Sequence, residues 1–196
     1  MKQTFLTAVL VSSLASAWAL ELGDVAPKSD VKMKNVDGKE ISIADVKGEK
    51  GTLVIFSCNH CPFVLAWEER IAKLGNEFQK RGVGVIQINS NDPAKVAGDS
   101  FEGMVKRAKD RGFAFPYVVD ADSGVARAFG ATRTPEAFLF DAAGKLVYHG
   151  TIDDNHKDAA AAKEHYLKDA LEAVVAGREV AIKTTKAVGC SIKFRS

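Results

Sequence analysis

Thr52-Leu53-Val54-Ile55-Phe56-Ser57-Cys58-Asn59-His60-Cys61-Pro62 is the run on which the fold turns. Its first half, Thr52 to Phe56, is β-branched and apolar and is bounded by Gly51, which reads as a buried strand. Beyond it, Trp67, Ile71, Leu74 and Phe78 recur at three- and four-residue spacing and lay one apolar stripe along a helix. Pro62 suits the first helical turn, where no amide donor is missed. Two cysteines therefore stand at a strand-to-helix junction, with Cys58 expected at the helix mouth and Cys61 one turn inside.

Unpaired N–H groups and the helix dipole favour thiolate over thiol at a helix N-terminus. In C-x-x-C settings they bring a cysteine pKa from about 8.5 down to roughly 3.5–7.5. Cys58, expected to be exposed at the turn, is the candidate nucleophile, and Cys61 the resolving thiol. His60 adds a polar and ionisable group that favours the reduced form and makes the disulfide more oxidising. Three other uses of the pair fit less well. A structural disulfide across two residues removes little unfolded-state entropy. Zinc needs about four ligands, and only Cys190 and the scattered His149, His156 and His165, expected at the surface, remain to supply them. Two inert buried cysteines would not need Pro62 and a helix mouth.

The 196 residues are 46% hydrophobic, enough to bury one core with extensions. A net charge of +2 without a basic run gives no footprint for nucleic acid. Lys2, the apolar stretch Phe5 to Leu14 and the small residues Ala15-Ser16-Ala17-Trp18-Ala19 read as a secretory signal, with cleavage expected after Ala19. The apolar run is too short to span a bilayer, so no membrane span is expected after cleavage. The expected location is outside the cytoplasm, secreted or periplasmic, where disulfide chemistry is favoured.

Along the rest of the chain, Val31–Asn35 and Glu40–Ile43 flank an Asp37-Gly38 turn and predict a hairpin. Val83–Asn89 is the next strand, and strand, helix and strand of this size make a parallel crossover. Asn89 to Asp99 reads as a polar loop. Asp99 or Ser100 then caps a helix with Phe101, Met104, Val105 and Ala108 on its apolar face. Pro116–Val119 is a short strand, Ser123–Phe129 a short helix ending at Gly130, and Pro135 opens a strand running to Asp141. Ala143-Gly144 turns the chain into the return strand Leu146–Tyr148. A last helix is expected from about Asp158 to Ala176, with Leu167, Ala170, Leu171 and Val174 buried and Gly177 ending it. The fold class is α/β, a central mixed sheet with helices on both faces and an N-terminal β-hairpin extension.

With Cys58-x-x-Cys61-Pro62 at a strand-helix junction and Thr134-Pro135 at a later strand, the chain resembles the thioredoxin superfamily. It looks closest to the secreted thioredoxin-like branch of the alkyl hydroperoxide reductase/thiol-specific antioxidant (AhpC/TSA) group, among peroxiredoxin-like proteins carrying C-N-H-C-P and a terminal G-C-S-I-K motif. The likeness runs from about Gly23 to Phe194. It implies a signal peptide over 1–19, a thioredoxin-like domain over 20–180 and a tail over 181–196 holding Cys190. It also implies a cis peptide bond before Pro135, and a Thr134 backbone that pairs with a bound substrate peptide. Cys190 would then lie in a tail that folds back towards the pair, as a third redox thiol or as a bystander.

Departures from the family are specific. Ser57 stands where thioredoxins carry Trp, Thr52 where they carry a buried Asp, and Val64 where cytochrome-maturation relatives carry Glu. Glu68 and Glu136 are the remaining acids for general-base help. Against the peroxiredoxin pattern, Cys58 replaces the activating hydroxyl residue and Val54 the proline, with Arg133 left to stand near a thiolate. The expected function is thiol–disulfide exchange with partner protein thiols or disulfides, with no cofactor and no metal. A peroxide-consuming thiol peroxidase and a copper chaperone using both thiolates are the alternatives.

Overall fold

The computed structural model describes residues 20–195; the expected signal segment lies outside them. Seven strands form one mixed sheet in the order β2-β1-β5-β4-β3-β7-β8. Its centre is β3 (Gly51–Ser57) and β4 (Val83–Asn89), parallel over their full length and buried throughout. Continuous apolar runs of this kind belong to strands covered on both faces. β5 (Tyr117–Val119) continues the parallel set, and β1 (Met33–Asn35) with β2 (Glu40–Ile41) adds the predicted hairpin antiparallel to it. On the other side, β7 (Glu136–Asp141) and β8 (Leu146–Gly150) complete the sheet as an antiparallel hairpin.

Alternation along β3 divides the core. Leu53 and Ile55 face α1 (Pro62–Gln79) and α4 (Tyr166–Val175), packing with Trp67, Ile71, Phe78, Leu167 and Leu171. Val54 and Phe56 face the opposite layer, where α3 (Gly124–Phe129) supplies Val125, Ala126 and Phe129. α2 (Phe101–Arg111) starts at Ser100, whose hydroxyl accepts the Gly103 N–H as predicted, and buries Met104 and Ala108 against Tyr117. Val105 is exposed, contrary to expectation, and Phe101 is only partly buried, with the Lys34 ammonium 4.2 Å from its ring centre. No helix among the described residues is long and apolar enough to cross a membrane.

Two corrections concern boundaries. The last helix starts at Tyr166, not near Asp158. Asn155, Asp158 and Asp154 accept the N–H groups of Lys157 and Asp158, of Ala160, and of Lys163 respectively, and these side-chain turns outcompete helix despite the alanines between them. Pro135 does not open a strand. It separates a two-residue strand, β6 (Arg133–Thr134), from β7. The tail carries its own short strand, β9 (Cys190–Ser191), which pairs with β6.

Candidate active site

β3 ends at Ser57, and the chain turns through Cys58, Asn59 and His60 before α1 begins at Pro62. Cys61 is the N-cap of α1. The helix mouth therefore belongs to Cys61, and Cys58 lies one step before it, at the strand end. Neither sulfur is exposed at the turn: Cys58 is 1% and Cys61 4% accessible. The turn is held by a buried polar network that sequence reasoning did not foresee. Asp99 accepts the Asn59 backbone N–H at 2.5 Å and the Asn91 side-chain amide at 2.7 Å. The Asn59 side chain donates to the Gly98 carbonyl and accepts the Tyr117 hydroxyl at 2.9 Å. These residues come from three separate segments, and only the parallel crossover brings them together.

Opposite the turn, the Thr134–Pro135 peptide bond is cis, as the resemblance implied. The Thr134 hydroxyl lies 3.3 Å from the Cys58 sulfur, and its carbonyl accepts the Cys61 S–H at 3.2 Å. The third thiol completes the cluster. β9 runs antiparallel to β6 with Cys190 opposite Thr134, so Cys190 packs against Cys58, Cys61 and Val64. All three cysteines are free thiols.

The two sulfurs of the turn titrate as a pair, with Cys61 favoured as the charged member. The neighbouring Cys58 thiol is the chief group favouring the charged form there, with Cys190 and the amide of Val64 adding to its effect. Burial opposes them, and the balance lowers the Cys61 thiol to about 4. The Thr134 carbonyl, which accepts the Cys61 S–H, opposes that lowering. Cys58 is pushed well above the ordinary thiol range by its hydrogen bond to Cys61, by burial and by the negative charge of Asp99. Cys190 is raised to about 11 by burial, then by its hydrogen bond to Cys61 and the charge there. The Cys58 thiol contributes most to the lowering at Cys61, and the helix N-terminus, where Val64 N–H is one of the orphan donors of the first turn, adds to it. Sequence reading named Cys58 as the nucleophile; the hydrogen bonding within the pair favours the thiolate at Cys61.

The other predicted residues take different parts. The His60 side chain is exposed and lies over Gly98; its backbone N–H is the group that reaches the Cys58 sulfur. Arg133 is exposed and donates to the Gly189 carbonyl at 3.2 Å. Glu68 is buried and clasped by Arg107 at 2.9 Å and Arg111 at 2.5 Å, so it joins α1 to α2 rather than serving as a base. Glu136 is likewise committed: one oxygen accepts the Thr132 and Arg133 N–H groups and the other meets His149 Nε2 at 2.7 Å. His149 is partly buried, its ring stacked on Phe138 at 4.3 Å. His156 packs on Phe63 and Trp67, and His165 is exposed. Among the described residues no group of three or more His, Cys, Asp or Glu is arranged to hold a metal ion.

Comparisons with known proteins follow this geometry. The thiol-disulfide oxidoreductase ResA of Halalkalibacterium halodurans is 29% identical over 116 residues, 59% of this chain and 61% of that protein, so the chain spans about three fifths of that relative's length. The crystal structure of an uncharacterized conserved protein from Geobacillus kaustophilus superposes with a TM-score of 0.84 at 37% identity, covering 90% of this chain and 93% of that one. A thioredoxin-like protein solved in its oxidized form superposes with a TM-score of 0.64 over 82% of this chain and 100% of that one, and at 18% identity it shows the fold alone. The fold is thioredoxin-like. The AhpC/TSA family model matches residues 22–149. That match takes in all but the last residue of the seven-stranded sheet, together with the cysteine turn and the cis proline, and the chain belongs to the AhpC/TSA family.

Proposed function

We propose that the protein is a thiol–disulfide oxidoreductase acting on partner protein thiols or disulfides outside the cytoplasm. One observation carries this reading: Cys58 and Cys61 pack together at the N-terminus of α1, and both sulfurs reach Thr134 of the cis Thr134–Pro135 peptide. A sulfur held as thiolate at neutral pH is a standing nucleophile in one direction and a good leaving group in the other. Cys61 takes that role. Cys58 supplies the second sulfur, and the disulfide joins the two. Pro62 starts the helix, and Thr134 with Pro135 covers both sulfurs. The match to a protein named thiol-disulfide oxidoreductase supports the reaction class, and the apolar N-terminal run after Lys2 supports export.

The test sets two rates side by side. Reduced protein is mixed either with a protein disulfide or with hydrogen peroxide at micromolar concentration, and the Cys58–Cys61 disulfide is followed by mass mapping after acid quenching. Exchange with the protein disulfide is expected to be the faster by at least tenfold. Peroxide oxidising the pair within seconds, with no exchange, would instead make the protein a thiol peroxidase.

A further inference from the structure

The pair is buried, yet exchange with a macromolecule needs a sulfur that a partner can touch. Of the three thiols, only Cys190 is partly open to solvent. It is also fixed where, by resemblance, a substrate peptide would pair: β9 lies antiparallel on β6, and the Ile192 N–H donates to the Thr132 carbonyl at 2.9 Å. Gly189 permits this approach. A Cβ there would stand 2.2 Å from the Thr134 carbonyl oxygen and 3.2 Å from Pro135 N, so no side chain fits while the strand is docked. The tail beyond is anchored as well, with Ile192 buried, the Lys193 carbonyl accepting the Asp92 N–H at 2.7 Å and Arg127 over the Phe194 ring.

We propose that Cys190 is the sulfur that partners engage, and that the tail strand serves as an internal substrate passing the disulfide between Cys190 and the buried pair. This rests on the exchange activity proposed above and names where that activity meets its partner. Starting from the Cys58–Cys61 disulfide, the Cys190 thiolate attacks the Cys61 sulfur. The Cys61–Cys190 bond forms, the Cys58–Cys61 bond breaks, and Cys58 leaves with the proton that Cys190 gave up. No electrons enter or leave. A partner thiolate then attacks the Cys190 sulfur and expels Cys61 as the thiolate. The partner's second thiol attacks its own sulfur in that mixed disulfide, releasing an oxidised partner and the Cys190 thiol. Two electrons pass from partner to protein, and the reverse sequence reduces a partner disulfide.

Three thiol variants and one glycine variant of the mature chain test this. Cys58→Ser treated with one equivalent of diamide is expected to form the Cys61–Cys190 disulfide within one chain. Cys61→Ser challenged with oxidised glutathione is expected to carry glutathione on Cys190 at least tenfold over Cys58. Cys190→Ser is expected to close Cys58–Cys61 with diamide, yet to exchange with a reduced, unfolded protein at least tenfold more slowly than wild type. Gly189→Ala, which keeps all three thiols but displaces the strand, should be slowed likewise. Glutathione captured on Cys58, or unimpaired exchange by Cys190→Ser and Gly189→Ala, overturns the relay and leaves the exchange activity standing. Failure of Cys190→Ser to close Cys58–Cys61 at all would overturn both.

Discussion

Raising the pH from 5 to 8 should lower the reduction potential of the protein by only about 90 mV, half the change an ordinary dithiol shows. The perturbation is the proton concentration, and the magnitude follows from which sulfur holds a proton in the reduced state. Cys61 is lowered to about 4 and Cys58 is raised above the ordinary range, so between these limits the reduced pair carries one charge and one proton. Reduction then takes up two electrons and one proton. Each proton contributes about 30 mV per pH unit to a two-electron couple. A pair with both thiols near 8.5 would take up two protons below that pH and shift by about 180 mV over the same range. Moving the disulfide to Cys61–Cys190 does not alter the count, because Cys190, raised to about 11, stays protonated in the reduced form.

The assay is equilibration in glutathione buffers at unit pH steps, with acid quenching, alkylation and mass analysis, after correction for the pH dependence of glutathione itself. A slope near 30 mV per unit supports one thiolate in the reduced pair. A slope near 60 mV per unit, together with no thiolate absorbance near 240 nm at pH 6, would refute the charge assignment and with it the reason for the pair's reactivity.

The stability of the reduced protein should peak near pH 8.5, as read by urea unfolding under a non-thiol reductant. Cys61 is lowered on folding, so its contribution is complete above its unfolded pKa and is lost as the pH falls towards 4, whereas Cys58 and Cys190 are raised and lose theirs as the pH climbs past about 8.5. His60→Ala should leave the reduction potential unchanged, because the side chain lies over Gly98, while His60→Pro removes the N–H that reaches Cys58 and should make the disulfide harder to reduce. An unchanged potential in the proline variant would take that amide out of the mechanism. Glu136→Gln should cost about 1–3 kcal/mol in urea unfolding through the weakened bonds to Thr132 and Arg133. A pH-shifted exchange rate without that loss would instead mark it as a base.

Where local pattern and tertiary need agree, the sequence is readable. Leu53–Phe56 is apolar at every position because both faces of β3 are covered, and the stripe Trp67, Ile71, Phe78 repeats because one face of α1 is. Thr134-Pro135 was legible only through resemblance, since nothing local distinguishes it from any other X-Pro at a strand. Which of the two cysteines caps the helix was not legible. C-x-x-C spacing places a helix start to within one turn, and that turn decides which sulfur becomes the N-cap. Asp99, Asn59, Asn91 and Tyr117 left no trace because each looks like an ordinary loop or strand residue until the crossover brings them together. For β9 a signal was present. Cys190, Ile192 and Phe194 alternate with Ser191 and Lys193, the two-residue period of a half-buried strand, preceded by a glycine that allows close approach.

The same tail explains how a buried pair remains usable. Undocking the tail would expose Ile192, at about 1.5–3 kcal/mol, and break the main-chain bonds from Ile192 to Thr132 and from Asp92 to Lys193, at about 1 kcal/mol each. A partner peptide pairing with Thr134 would regain bonds of the second kind but has no assured residue for the Ile192 pocket. Displacing the tail is therefore the costly route to the sulfurs, and passing the disulfide through Cys190 avoids it, because every bond of β9 to β6 stays in place while only a sulfur–sulfur bond moves. The occupied edge also closes an open row of main-chain donors and acceptors to unrelated strands. Partner choice then falls to the surface around Cys190, where Arg133, Lys193 and the exposed Val188 stand. Substitutions at those three positions should alter the rate with one partner relative to another while leaving the slope of potential against pH where Cys61 sets it.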